Sequence, residues 1–123
     1  MQTLQGIQRS KINRDCRTLI EILAAYIIDG DTFAVGPSRY RLWGIDAPEI
    51  STWRGEVARD KLADIIEGRR LYCIEKDQDK WGRRVVQCYT DQGADIGCIM
   101  VSQGAATDWP RFSGGYYRNC AAR

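Results

Sequence analysis

Arg39-Tyr-Arg-Leu-Trp-Gly-Ile-Asp-Ala-Pro-Glu49, together with the Asp29-Gly-Asp-Thr32 run just upstream, is the stretch that decides how this chain folds. Tyr40, Leu42 and Gly44 alternate with Arg41, Trp43 and Ile45, so Tyr40–Ile45 is expected to be a strand with neither face cleanly polar, covered on both sides. Pro48 ends it. Upstream, Asp29-Gly30 followed at once by Thr32–Val35 reads as one strand turning into another. That makes Thr18–Ile28 a strand, although its Leu and Ala content would also suit a helix, and Gly36-Pro-Ser38 is the next turn. The two runs place Asp31, Arg41, Asp46 and Glu49 at neighbouring strand ends, and Asp79-Lys-Trp-Gly-Arg83 adds a second arginine from a later turn. Two carboxylates about 4 Å apart repel by roughly 4 kcal/mol at an effective dielectric near 20. Such a cluster calls for a cation and a phosphate.

Downstream of Glu49 the pattern changes period. Ser51 or Thr52 is a suitable N-cap, and Ala58, Leu62, Ile65 and Ile66 recur on one face of a helix over 54–67, with Gly68 just past its end. Leu71–Glu75 and Arg84–Tyr89 read as paired strands around the Asp77–Arg83 turn. A short second helix follows over 95–103, capped by Asp95 and closed by Gly104, with Ile96, Ile99 and Met100 facing inward. Trp109–Tyr117 is aromatic, glycine-rich and irregular. Three strands, a helix, two strands and a short helix give the connectivity of a five-stranded oligonucleotide-binding (OB) barrel, mainly β with α.

The 123 residues allow one domain, taken here as 18–123 behind a polar basic tail over 1–17 that lacks the apolar centre of a signal peptide. With 44% apolar and 28% charged residues the composition is that of a soluble globular protein, and no run approaches the ~20 apolar residues of a membrane helix. A net charge of +2 is too small to argue for any partner by itself. Histidine is absent, which removes Ser-His-Asp and Cys-His nucleophilic schemes and His-ligated metals. The five cysteines show no CxxC pairing, so they do not point to zinc.

Asp29-Gly-Asp-Thr32, Arg41-Leu-Trp-Gly-Ile-Asp-Ala-Pro-Glu49 and Asp79-Lys-Trp-Gly-Arg83, in that order and with a helix between the last two, resemble the three signature segments of the staphylococcal-nuclease-like (thermonuclease) family. The resemblance covers roughly 18–104 and thins beyond. It implies a calcium ion held by Asp31, Asp46 and the Ala47 carbonyl, and oxygen-only ligation does suit a hard cation. Arg41 and Arg83 correspond to the phosphate-clamping arginines, and Glu49 to the residue that orients or deprotonates the attacking water. Read without the resemblance, Asp31 is a turn former and Arg41 pairs with Glu49 or Asp46. Lys80 is either a phosphate contact or a solvated turn residue. Trp81 stands where relatives often carry a phosphate-touching tyrosine, and an indole can donate and stack but not accept. Tyr116 and Tyr117 fall near the family's base-stacking aromatics, with packing an equal alternative.

The implied activity is calcium-dependent hydrolysis of DNA or RNA to products with 3′-phosphates, the partner being single-stranded nucleic acid with no membrane involved. The alternatives are an OB module that binds such strands or a protein without cutting, and, more remotely, a secreted module built around its cysteines. Cys73 and Cys88 lie on strands flanking one turn and are expected to form a disulfide, the other reading being two small buried residues. The cysteines and the resemblance favour a secreted or periplasmic setting. Relatives usually continue into a longer C-terminal helix, so a short C-terminus is expected to leave barrel surface that a second copy of the chain could cover.

Overall fold

The computed structural model describes residues 19–121; the polar tail over 1–17 lies outside them. The elements are β1 (Leu19–Ile22), β2 (Tyr26–Asp29), β3 (Thr32–Val35), β4 (Ser38–Leu42), β5 (Ile45–Asp46), α1 (Trp53–Ile66), β6 (Leu71–Gln78), β7 (Arg84–Thr90), α2 (Ile96–Ser102), β8 (Thr107–Asp108), α3 (Pro110–Ser113) and a 3-10 turn at Arg118–Cys120. Six strands form one sheet in the order β1-β6-β7-β4-β3-β2, antiparallel except for the parallel β4–β7 pair. The two edge strands are consecutive in the chain, joined by Leu23, Ala24 and Ala25 alone. The sheet is therefore strongly curled into a half-barrel of the OB kind, as the sequence pattern implies.

Two expected strands are each divided. Thr18–Ile28 breaks at Ala24, which takes a left-handed φ of 59°, and its halves pair with β6 and β3 respectively. Tyr40–Ile45 breaks at Trp43-Gly44: Gly44 has φ +79°, and a Cβ there would come within 3.0 Å of both Ser113 and Tyr117. The chain turns there, and β5 leaves the main sheet to pair with β8.

The α1 face forms as the periodicity requires, with Ala58, Leu62 and Ile66 buried against the sheet beside Phe33, Leu42, Val86 and Met100. Full burial of one such aliphatic side chain stabilises by about 1.5–3 kcal/mol. Of the two expected caps, Thr52 is the one used. Its Oγ1 accepts from the Gly55 N–H at 3.0 Å and donates to the Glu49 carbonyl at 2.7 Å, which ties the helix start to the Pro48-Glu49 turn. Asp95 caps α2 through the Gly97 N–H at 2.9 Å.

Cys73 and Cys88 are directly opposed on β6 and β7 and disulfide-bonded. A second bridge, Cys98–Cys120, was not anticipated. It fastens the end of the chain to α2, and Tyr117 beside it is buried at 1% exposure with its hydroxyl donating to Asp95 at 3.0 Å. The segment expected to be irregular is thus held at two points and contains α3.

Candidate active site

The β2–β3 turn carries Asp31, and a buried network grows from it. The Asp31 N–H donates to Asp29 Oδ1 at 3.1 Å, and Asp31 Oδ1 accepts from Thr32 Oγ1 at 3.1 Å. Asp31 Oδ2 accepts from the Ala47 N–H at 2.9 Å, which draws the end of β5 onto the turn. Arg41 reaches the same carboxylate from β4, its Nη1 3.4 Å from Asp31 Oδ2 while also donating to the carbonyls of Leu42 and Ile45 at 2.9 Å each. Arg41 Nη2 stands 3.9 Å from Asp46 Oδ1. One guanidinium therefore lies between two carboxylates. Arg41 pairs with Asp31 and Asp46 rather than with Glu49, because Nη1 is anchored inward by the two carbonyls.

Asp31 is buried, whereas the Asp46 side chain is 59% exposed. Burial pushes the Asp31 carboxyl up to about 6, a rise that Arg41 opposes and Asp29 adds to. An ionised Asp31 in this place is under-compensated by Arg41 alone. Among the described residues no group of three or more His, Cys, Asp or Glu side chains has metal-holding geometry. The oxygen donors available to a cation are then two carboxylates with main-chain carbonyls and water, a set that fits a hard ion such as calcium.

Arg83 joins from the turn after β6. Its Nε is 2.6 Å from Asp79 Oδ2, and Asp79 Oδ1 accepts from the Trp81 and Arg83 N–H groups at 3.0 and 2.9 Å. Desolvation pulls the Asp79 carboxyl upward, but these hydrogen bonds outweigh it and hold the group below the usual carboxylate range. Arg83 Nη1 contacts Thr32 Oγ1 at 3.4 Å, so Arg83, Thr32, Asp31 and Arg41 form one connected chain.

Both arginines line a groove of about 490 Å³ whose walls include Trp43, Trp81, Trp109 and Phe112, with Lys76 and Arg111 also lining it. Arg41 lies 5.2 Å from the centre of the Trp109 ring, and Trp81, 71% exposed, carries Lys80 at 4.7 Å and Arg83 at 5.6 Å. Cations beside one exposed and two half-buried indoles suit a strand with phosphates and flat bases.

Residues 39–118 match the family described as Staphylococcal nuclease homologue. The chain belongs to this family. The match extends through the C-terminal segment, past the limit near Gly104 expected from the motifs. An uncharacterized endonuclease of Escherichia coli O157:H7 is 31% identical over 91 residues, covering 71% of this chain and 60% of that protein. Protein ParB of Escherichia coli is 38% identical over 100 residues, covering 72% of this chain and 56% of that one. A micrococcal nuclease of Shigella flexneri is 36% identical over 92 residues, covering 65% and 53%. The chain spans little more than half the length of these relatives.

Of the residues singled out by the family motifs, Asp31, Arg41, Asp46 and Ala47 come together, and Arg83 joins them through Thr32. Glu49 is exposed, and among the described residues only its carbonyl is engaged, by Thr52. Trp81 lines the groove, and Lys80 lies over its ring without lining the groove itself. Tyr116 is exposed but packs at 5.6 Å on Trp43, and neither it nor Tyr117 lines the groove. Tyr117 cannot stack a base, since its ring is buried and its hydroxyl is bonded to Asp95. Motif reading passed over Asp79 as the residue holding Arg83, and Trp109 and Phe112 as the groove wall. The aromatic content of 109–117 was visible, but which rings turn inward depends on the α3 turn and the Cys98–Cys120 bridge.

Proposed function

We propose that this chain is a calcium-dependent nuclease domain that hydrolyses phosphodiester bonds of single-stranded DNA or RNA and leaves 3′-phosphates. The reading is carried by one observation, the Arg41 guanidinium held between Asp31 and Asp46 at the edge of the aromatic groove. Asp31, Asp46 and the Ala47 carbonyl would hold the cation, whose chemistry when bound is to draw charge from a phosphate oxygen and acidify water. Arg41 and Arg83 bind the phosphate, and their fixed donors stabilise the charge that builds on its oxygens as the fifth bond to phosphorus forms. Asp79 keeps Arg83 in place, so the fork is oriented before substrate arrives. The Glu49 carboxylate takes the proton of the attacking water, from a turn that Pro48 and Thr52 stiffen. Trp81, Trp109 and Phe112 receive the flanking base.

The experiment is cleavage of single-stranded DNA and of RNA with calcium or with chelator, with end-group analysis of the products. Calcium-dependent cutting that leaves 3′-phosphates is expected, and no cutting above an Arg83→Ala control would falsify the nuclease reading. A module that binds strands without cutting is the second reading, favoured by the aromatic lining of the groove, which stacks bases without needing any carboxylate. Strand binding that is unaffected by Asp46→Asn and unaccompanied by cleavage is its signature.

A further inference from the structure

We infer that Trp53 and Arg54, at the start of α1, form a second nucleotide subsite that takes the base on the far side of the scissile phosphate. The inference rests on the nuclease reading. A second groove, about 560 Å³, is lined by Trp53, Arg54, Val57 and Ala58 on one wall and by the 104–107 loop on the other, and it includes Asp46 and Ala47. Asp46 is thus near both grooves, within ion-pair range of the Arg41 that lines the first and itself lining the second. A strand whose phosphate sits by Arg41 and Asp46 has a nucleotide on each side of it. The first groove accounts for one of them.

The second groove has the means to hold the other. Trp53 is 71% exposed, and together with Ile50 and Val57 it makes an apolar strip beside the groove, an arrangement that marks a contact surface on a soluble domain. The Arg54 guanidinium lies 5.7 Å from the Trp53 ring centre and forms no ion pair among the described residues, unlike Arg41, Arg83 and Arg84, which all have carboxylate partners. An exposed indole for a base and an uncommitted cation for a phosphate match the two parts of a nucleotide. Small side chains, Ala47, Ala58, Ala105 and Ala106, are part of the lining and leave room for a planar ring. Thr52 binds both the Gly55 N–H and the Glu49 carbonyl, so the start of α1 that bears Trp53 and Arg54 is tied to the Glu49 turn.

Two probes separate this subsite from the central one. A short oligothymidylate spans both grooves, whereas thymidine 3′,5′-bisphosphate carries one base and reaches only the first. Measured by fluorescence anisotropy for the oligonucleotide and by its competition with the bisphosphate, Trp53→Ala is expected to weaken oligothymidylate binding by about tenfold, of the order of one lost base stack. Bisphosphate binding should stay within about twofold of wild type, Trp53→Phe should restore most of the loss, and Arg54→Gln should reproduce part of it. Equal weakening of both ligands, or of neither, overturns the subsite. A wild type that binds the oligonucleotide but cuts no strand removes the nuclease reading on its own, while the anisotropy comparison still judges the Trp53 and Arg54 subsite.

Discussion

Asp31 is a carboxylate held where its own charge is disfavoured. Its raised pKa means that the fold favours the protonated form, so this group's contribution to stability is full below about pH 4 and is lost as pH rises through about 6. Asp31→Asn keeps the shape and can still accept from Ala47, and Arg41 retains Asp46 and the two carbonyls. Even with Arg41 opposing it the rise in pKa remains, so the burial cost outweighs the lost ion pair. We expect the variant to be more stable than wild type in chelator at about pH 7.5, by about 1–3 kcal/mol, with the gap closing towards about pH 4. Thermal unfolding at the two pH values reads this, and a variant less stable at both would show that the Arg41 pair dominates. Calcium should stabilise wild type but not the variant. Glu49 makes a separate prediction, because its carboxylate forms no ion pair with Arg41, which pairs with Asp31 and Asp46. Glu49→Gln should leave calcium affinity within about threefold while slowing turnover on the order of a hundredfold. Calorimetry that found calcium binding lost would instead make Glu49 a ligand.

At the scale of elements, the site depends on how closely α1 approaches the turn before it. A Cβ on Gly55 would lie 1.8 Å from the Glu49 carbonyl oxygen, a backbone atom that cannot move aside by rotating a side chain. Gly55→Ala should therefore cost about 1–3 kcal/mol of stability and, by displacing the Glu49 turn, reduce turnover more than substrate binding. Unchanged kcat in a folded Gly55→Ala protein would show that the turn does not position the base. The same approach explains why Gly55 escaped notice: in the sequence it is an unremarkable residue in the first turn of a helix. The helix itself was legible, since Ala58, Leu62 and Ile66 keep one face whatever surrounds them. The breaks at Ala24 and Gly44 were not, because each is imposed by the element on which the chain must next pair.

For the whole molecule, the two disulfides do different work. Cys73–Cys88 bridges two strands that already pair along their length, whereas Cys98–Cys120 closes a loop across 22 positions and holds the segment bearing Trp109, Phe112 and Tyr117 against the barrel. The Cys98→Ser/Cys120→Ser variant should lose about 3 kcal/mol on the chain-entropy estimate. It should also bind oligonucleotides more weakly, because the wall made by Trp109 and Phe112 is no longer fixed. Far-UV circular dichroism should show the sheet retained. Should binding persist unchanged in the reduced-stability variant, α3 is held by Tyr117 and Asp95 without help from the bridge.

By itself the sequence determined the curled β sheet with α1 inserted after the central strands, and that Asp31, Arg41 and Asp46 stand at neighbouring strand ends with Arg83 on a later turn. These follow from period, punctuation and residue chemistry, which are local properties of the chain. Tertiary structure alone decided which carboxylates share Arg41, that Thr32 and Asp79 connect Arg83 to them, and that Tyr117 is core while Trp109 and Phe112 face the groove. Each of those outcomes depends on where a distant segment lands, on β5 pairing with β8, on Ala47 reaching the Asp31 turn and on Cys120 meeting Cys98. Spacing along a chain carries no record of such meetings, since they are set by the closing of the barrel as a whole.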